Sequence, residues 1–215
     1  RTIVIDLPQT GQAAVAMGLR GVARTDADYF PLLVANNVLG GGYSARLNAE
    51  IRIRRGLSYG ASSSLQARRA PGPIIASAQT RNDAAVQVYE LMSAEIRRIG
   101  REAPSAAEVQ ARQAVLIGAF GRSVETTAGL AGQISTFALY GLPPERLNTY
   151  VADVAGVTPE QARTAAARYF DPARADVVVV GDARQFYDGL RRLRPGAERI
   201  AASNLNLDAE SLRWE

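Results

Sequence analysis

The chain has 215 residues, 47% of them apolar and 21% charged, which is enough for one sizeable core and an ordinary globular composition. It contains no cysteine and no histidine, so disulfides, thiolate nucleophiles, Ser-His-Asp machinery and any zinc site built on imidazole or thiolate are excluded. Every one of the 25 basic residues is arginine, and they are dispersed among 21 acids for a net charge of +4, a pattern of a solvated mixed surface rather than a nucleic-acid face.

Residues 2–7 alternate and are β-branched, and read as a strand; residues 13–21 read as its hairpin partner across the turn Pro8-Gln9-Thr10-Gly11. Because Arg1 runs straight into that strand without a methionine, the expectation is that the native chain extends upstream. Residues 25–42 read as a helix with Thr25 or Asp26 as N-cap, Pro31 in its first turns and a triple glycine at its end. The next helix runs over 44–56, capped by Ser44 and stopped by Gly56. Residues 57–69 and 72–80 read as two strands around Ala70-Pro71-Gly72-Pro73.

A helical middle follows. One helix ends at Gly100, and the next opens on the capping pair Ser105 and Glu108. Another starts at the N-cap Thr126 and ends at Gly141, and a further helix covers 143–156. Thr158 and Gln161 form a second capping pair, with Pro159 at the first helical position. Val177–Val180 read as a strand buried on both faces, and residues 183–193 as a short helix. Residues 195–215 show no clear periodicity. The predicted fold class is α+β: a mainly antiparallel sheet with helices packed on one face, in a single domain over 1–194 with a tail over 195–215 that packs on it or leads onward. No apolar run is long enough to span a membrane as a helix.

Three stretches invite a chemical reading. "LGGGYSARL" (39–47) is glycine-rich before a helix, yet it lacks the G-K-[ST] of a P-loop and follows no strand, so a turn is the better reading than a phosphate cradle. "VVVVGD" (177–182) reads as a core strand and its turn. "RIRRGLSYG" (52–60) sets Arg52 and Tyr59 seven residues apart on either side of a helix stop. A forked cation and a neutral phenol donor brought to one edge suit a carbonyl oxygen gaining negative charge; the plainer alternative is a solvated Arg52 and a Tyr59 packed in the sheet.

Around these residues the sequence resembles a known family. "NNVLGGGYSARLNAEIRIRRGLSYGASSS" (36–64) is similar to the non-zinc half of the pitrilysin-type metallopeptidases, the inverzincins, which include insulysin and the processing peptidases. "IVIDLPQTGQAAVAMGLRG" resembles the opening of that half, and "GLPPERLNTYVADVAGVTPEQARTAAARYFDPARADVVVVGD" its closing part. The resemblance implies two halves of similar fold facing each other across a chamber. One half carries zinc on H-x-x-E-H; the other supplies an arginine and a tyrosine that hydrogen-bond the substrate carbonyl and the oxyanion formed at that zinc. Those residues fall here on Arg52 and Tyr59, with Arg54 and Arg55 as competing arginines.

This sequence has no H-x-x-E-H; the corresponding stretch is the apolar "PLLVANNVLGGG". The resemblance therefore implies no metal and no cofactor in this chain, zinc in a partner half that is an upstream domain or a separate subunit, a peptide substrate, and no activity for this chain alone. It implies no nucleic-acid partner, and it favours a periplasmic setting over a cytoplasmic one. The alternative is a peptide-binding or scaffold subunit of the same fold without chemistry.

Overall fold

The computed structural model describes residues 1–214. Among them, six strands form one sheet: β1 (Thr2–Asp6), β2 (Ala13–Arg20), β3 (Ala61–Leu65), β4 (Pro73–Thr80), β5 (Asp176–Gly181) and β6 (Ala197–Ala201), in the order β3-β4-β2-β5-β1-β6. β2, β3 and β4 form an antiparallel group, and β5 joins it antiparallel to β2. β1 runs parallel to both β5 and β6. The fold is α+β, with the helices on one side of the sheet.

Two local expectations are corrected. β1 and β2 are not a hairpin, because β5 lies between them, with Val4 opposite Val179 and Val15 opposite the same Val179 from the other side. Residues 7–12 are too many for a tight two-residue turn and long enough to step over one strand, about 10 Å across two inter-strand spacings. The Leu7 N–H donates to the Gly181 carbonyl at 2.8 Å as the chain crosses. The valines of β5 are not buried on both faces: Val177 and Val179 are buried against the helices, whereas Val178 is 37% exposed on the other side.

The main core lies between the sheet and three helices, α1 (Tyr29–Gly40), α3 (Ala85–Arg101) and α7 (Pro159–Tyr169). Val4, Val15, Met17, Ile74, Val177 and Val179 meet Leu32, Val38, Leu39, Val88, Met92 and Ile96 in one buried cluster. Fully burying one such aliphatic side chain contributes about 1.5–3 kcal/mol. α4 (Ala106–Ser123), α5 (Thr127–Tyr140) and α6 (Arg146–Ala155) build an outer tier on α1, and α8 (Tyr187–Leu193) packs beside β6. The capping boxes Ser105/Glu108 and Thr158/Gln161 form, and Thr126 accepts the Gly129 N–H. Gly141 ends α5 at φ +74°. No helix among the described residues is long and apolar enough to cross a membrane.

On the opposite face a smaller cluster of Ile3, Ile5 and Ile200 is covered by Leu205 and Leu212 from the end of the chain. The stretch from residue 195 onward therefore contributes the edge strand β6 and a cover for one end of this outer face. The rest of the outer face, along β2, β4 and β3, is open, with Ser62, Ser64, Ser77 and Gln79 exposed.

Candidate functional site

The run from Gly40 to Ala61 shapes one end of the sheet. The reason for its glycines is packing. A Cβ on Gly40 would sit 2.2 Å from the Ser63 nitrogen of β3, and one on Gly41 would lie 2.6 Å from the Asn37 Cα. Ser63 Oγ donates to the Asn36 carbonyl at 3.2 Å, and Asn36 Nδ2 donates to the Ser63 carbonyl at 3.4 Å, so the end of α1 is stapled to β3. The following helix, α2 (Arg46–Asn48), starts at Ala45 without a side-chain cap; the expected cap, Ser44, instead accepts a hydrogen bond from Arg112. A three-residue α2 preceded by Gly40 and Gly41, whose Cβ positions are already occupied by Ser63 and Asn37, offers no phosphate cradle.

α2 continues as a π-helical turn over Ala49–Arg54. Widened turns of this kind shift the angular position of the side chains that follow. The Gly56 N–H donates to the Arg52 carbonyl at 3.0 Å, and the Leu57 N–H to the Ile51 carbonyl at 2.9 Å, with Gly56 at φ +62°. Gly56 is thus the helix stop, in a left-handed conformation that an L side chain adopts only with strain. The chain then returns as a loop. Tyr59 lies two residues before β3, which begins at Ala61, so it is not inside a strand. Thr80 Oγ1 donates to the Leu57 carbonyl at 2.6 Å and ties the loop to the end of β4. Asn48 donates to the Tyr43 carbonyl and accepts the Ala61 N–H, which clamps both sides of the segment.

The structure brings Arg52 and Tyr59 to one open cleft of about 390 Å³, which Gln12, Gln79, Thr80 and Arg81 also line. The cleft sits at the carboxyl end of β4 and the amino end of β2, where Ala13 pairs with Thr80. Tyr59 is 88% exposed and not packed in the sheet. Arg52 takes part in no ion pair among the described residues, and its guanidinium lies 5.0 Å from the centre of the Tyr43 ring. Such a contact orients a guanidinium without neutralising it.

The neighbouring arginines behave differently. Arg54 and Arg55 both bind Glu50, at 2.9 and 2.7 Å. Hydrogen bonds from Arg55 first, and then Arg54, hold the Glu50 carboxyl below its usual range. Arg81 is paired with Asp83 at 3.1 Å. Of the three arginines in "RIRRGLSYG", Arg52 is the one left with its donors free of a carboxylate. Among the described residues, no acidic side chain lines the cleft. Two guanidiniums, Arg52 and Arg81, with no carboxylate beside them in the lining disfavour a divalent cation, so these residues do not fit a metal, and no group of three or more metal-ligating side chains occurs among the described residues.

Sequence reasoning missed three participants. Tyr43 was visible only as a residue after a glycine run, and its stacking on Arg52 depends on the width of the π turn. Gln12 and Gln79 come from different strands, and neither carries a local signal. A second hollow of similar size lies at the far end of β2 beside Arg20, Arg168 and Arg174, but Asp26 and Asp171 also line it, and Arg168 is paired with Asp28 at 2.8 Å. It holds charges of both signs instead of one focused charge.

With this geometry in place, comparison with known proteins is informative. A family model described as "Peptidase M16 inactive domain" matches residues 1–116, more than half the chain and all of the Arg52–Tyr59 region. An uncharacterized zinc protease of Streptomyces coelicolor is 30% identical over 173 residues, which make up 80% of this chain and 38% of that protein. The peptidase M16 inactive domain from Pseudomonas fluorescens has a TM-score of 0.77 at 26% identity, covering 84% of this chain and 44% of that one. The inactive peptidase domain of a Bordetella parapertussis protein, at 16% identity and TM-score 0.69, shares the fold over 96% of its own length. The chain thus spans less than half the length of the Streptomyces and Pseudomonas relatives. It belongs to the peptidase M16 inactive-domain family, the non-zinc half of the pitrilysin-type metallopeptidases.

Proposed function

We propose that this domain is the substrate-orienting half of a two-half zinc peptidase, with Arg52 and Tyr59 as the donors that receive the scissile carbonyl. The observation that carries this reading is the shared cleft: one unpaired guanidinium and one exposed phenol line it, while the competing arginines are held on Glu50. Hydrolytic chemistry belongs to a zinc-bearing H-x-x-E-H partner half, either an upstream domain or a separate subunit. This chain binds the peptide, fixes the carbonyl and stabilises the negative charge that develops on it.

Fixed donors aimed at a developing oxyanion are worth roughly 10²–10³ in rate for each donor. Placing them on a separate half makes the site complete only when the two halves close on the peptide, so water is excluded at the same moment. The outward, solvent-facing position of Tyr59 agrees with a residue whose partner arrives from outside its own domain.

The test is a peptidase assay on the native assembly of this domain with its zinc half. Tyr59→Phe and Arg52→Ala each lower kcat by about 10²-fold while melting temperatures stay within a few degrees. The isolated chain cleaves nothing, with or without added zinc. Unchanged turnover in both variants would assign the domain to the scaffold alternative, in which the fold holds peptide or subunits together without touching the chemistry.

A further inference from the structure

The Arg52/Tyr59 cleft is not closed on all sides. Gln12 and Gln79 form a wall that it shares with a second hollow of about 220 Å³ on the outer face of the sheet. Leu7, Ala13, Ala14 and Val180 line this second hollow with apolar groups, and Thr10 adds one hydroxyl-bearing side chain. Its shape follows from the register. Ala14 on β2 pairs with Gln79 on one side and Val180 on the other, so a methyl group forms the floor between two larger side chains. Leu7, 43% exposed, closes one end. The floor and end are therefore apolar, while the wall toward Arg52 and Tyr59 carries two amides.

The same outer face already shows what suits it. Two strands along, Leu205 and Leu212 from the end of this chain lie on Ile3, Ile5 and Ile200, and Val180 touches that cluster. Aliphatic side chains carried on a turn-rich segment thus cover the β1–β6 part of the face. The Ala14 part next to it is left open.

We infer that the hollow formed by Leu7, Ala14 and Val180 is a specificity subsite for an apolar side chain of the peptide substrate, a proposal that rests on Arg52 and Tyr59 holding the scissile carbonyl. Spacing supports it. Gln12 to Ala14 is a two-residue step as the chain enters β2, at most about 7 Å, the same advance as two residues of an extended peptide. A peptide whose carbonyl lies at Arg52 and Tyr59 therefore brings a side chain about two residues away over Ala14. Gln12 and Gln79 sit between the two points, each with an amide donor and an acceptor for the intervening peptide backbone. The substrate class is a peptide with a leucine-like residue two positions from the cleaved bond, and a glycine or a carboxylate there is disfavoured. A carboxylate loses solvation over the aliphatic floor and, among the described residues, meets no cationic side chain in the lining.

The test uses the native assembly with its zinc half and peptides of one fixed scissile pair, carrying Leu, Gly or Asp two residues to either side. The intact enzyme favours Leu over Gly and Asp by about tenfold or more in kcat/KM, on one side of the bond only. Ala14→Leu fills the hollow and abolishes that preference, bringing kcat/KM for the Leu, Gly and Asp peptides within about twofold of one another. Leu7→Ser, at a half-exposed position, reduces the preference and serves if Ala14→Leu lowers the melting temperature. A folded variant of either kind that keeps the full Leu preference overturns the subsite. Failure of the underlying reading looks different: Tyr59→Phe and Arg52→Ala would then leave all three peptides cleaved at the normal rate.

Discussion

The link between α2 and α4 is testable through Glu108. Its carboxylate accepts from Arg46 Nε at 2.9 Å and Arg46 Nη2 at 3.1 Å, and it also closes the capping box by accepting the Ser105 N–H at 2.9 Å. Arg46 is 11% exposed and Glu108 39%. The Arg46 hydrogen bonds, opposed by burial and assisted by Ser105, hold the Glu108 carboxyl down at about 2, against an ordinary 4.5. At ~1.4 kcal/mol per unit such a displacement corresponds to about 3 kcal/mol. Solvent screening of a carboxylate this exposed reduces it to about 1–2 kcal/mol.

Glu108→Gln keeps a capping-box side chain and removes only the charge. The variant should melt about 2–8 °C below the parent at pH 7. A carboxyl depressed in the folded state stabilises above its unfolded pKa and loses that contribution as pH falls through its folded pKa. The gap between parent and variant should therefore be full above about pH 4.5 and shrink toward zero near pH 2. Thermal melts followed by circular dichroism across pH 2–7 measure both quantities. Equal melting temperatures at pH 7, or a gap that persists unchanged at pH 2, would refute the assignment of the Arg46–Glu108 pair.

Three further outcomes follow from the geometry. Gly56→Ala meets no neighbouring atom but must hold φ +62°, so it should cost about 1–2 kcal/mol in urea denaturation. Gly40→Ala, driven 2.2 Å from the Ser63 nitrogen, should destabilise by several kcal/mol or prevent folding, whereas Gly42→Ala, 3.6 Å from a movable Arg112 nitrogen, should stay within about 0.5 kcal/mol of the parent. Arg24→Met removes a guanidinium 3.8 Å over Tyr29 and near Phe30 and Phe137, and should lower the denaturation midpoint by the equivalent of about 1–2 kcal/mol. Burial already pushes the Tyr29 phenol up to about 12, with Arg24 pulling the other way, so absorbance titration of the variant should show Tyr29 ionising later still.

Much of the local structure was legible because its causes are local. A capping box needs four consecutive residues, and both that were expected are present. Gly56 and Gly141 end their helices in the left-handed conformation that only glycine adopts cheaply. Ser44 failed as a cap because a distant arginine, Arg112, claimed its hydroxyl. The two strands read over 57–69 and 72–80 were too long at their first end: the loop carrying Tyr59 is tied to Thr80 and Asn48 instead of entering the sheet.

By itself, the sequence determined the succession of the main helices and strands as far as α8 but not β6, together with the family and the candidate pair Arg52 and Tyr59, since each rests on residues close in the chain or on their order along it. It also ruled out imidazole and thiolate chemistry through the absence of histidine and cysteine. Tertiary structure decided everything that depends on which strand lies beside which. The four valines of β5 read the same whether one face is covered or two; only the insertion of β5 between β1 and β2, and the one-sided placement of the helices, leaves Val178 exposed and opens the face beside Ala14. The same packing joins Gln12, Gln79, Arg52 and Tyr59 around one cleft. Pairings between residues far apart in the chain leave no local trace in it, because their energy comes from surfaces that meet only once the chain has folded.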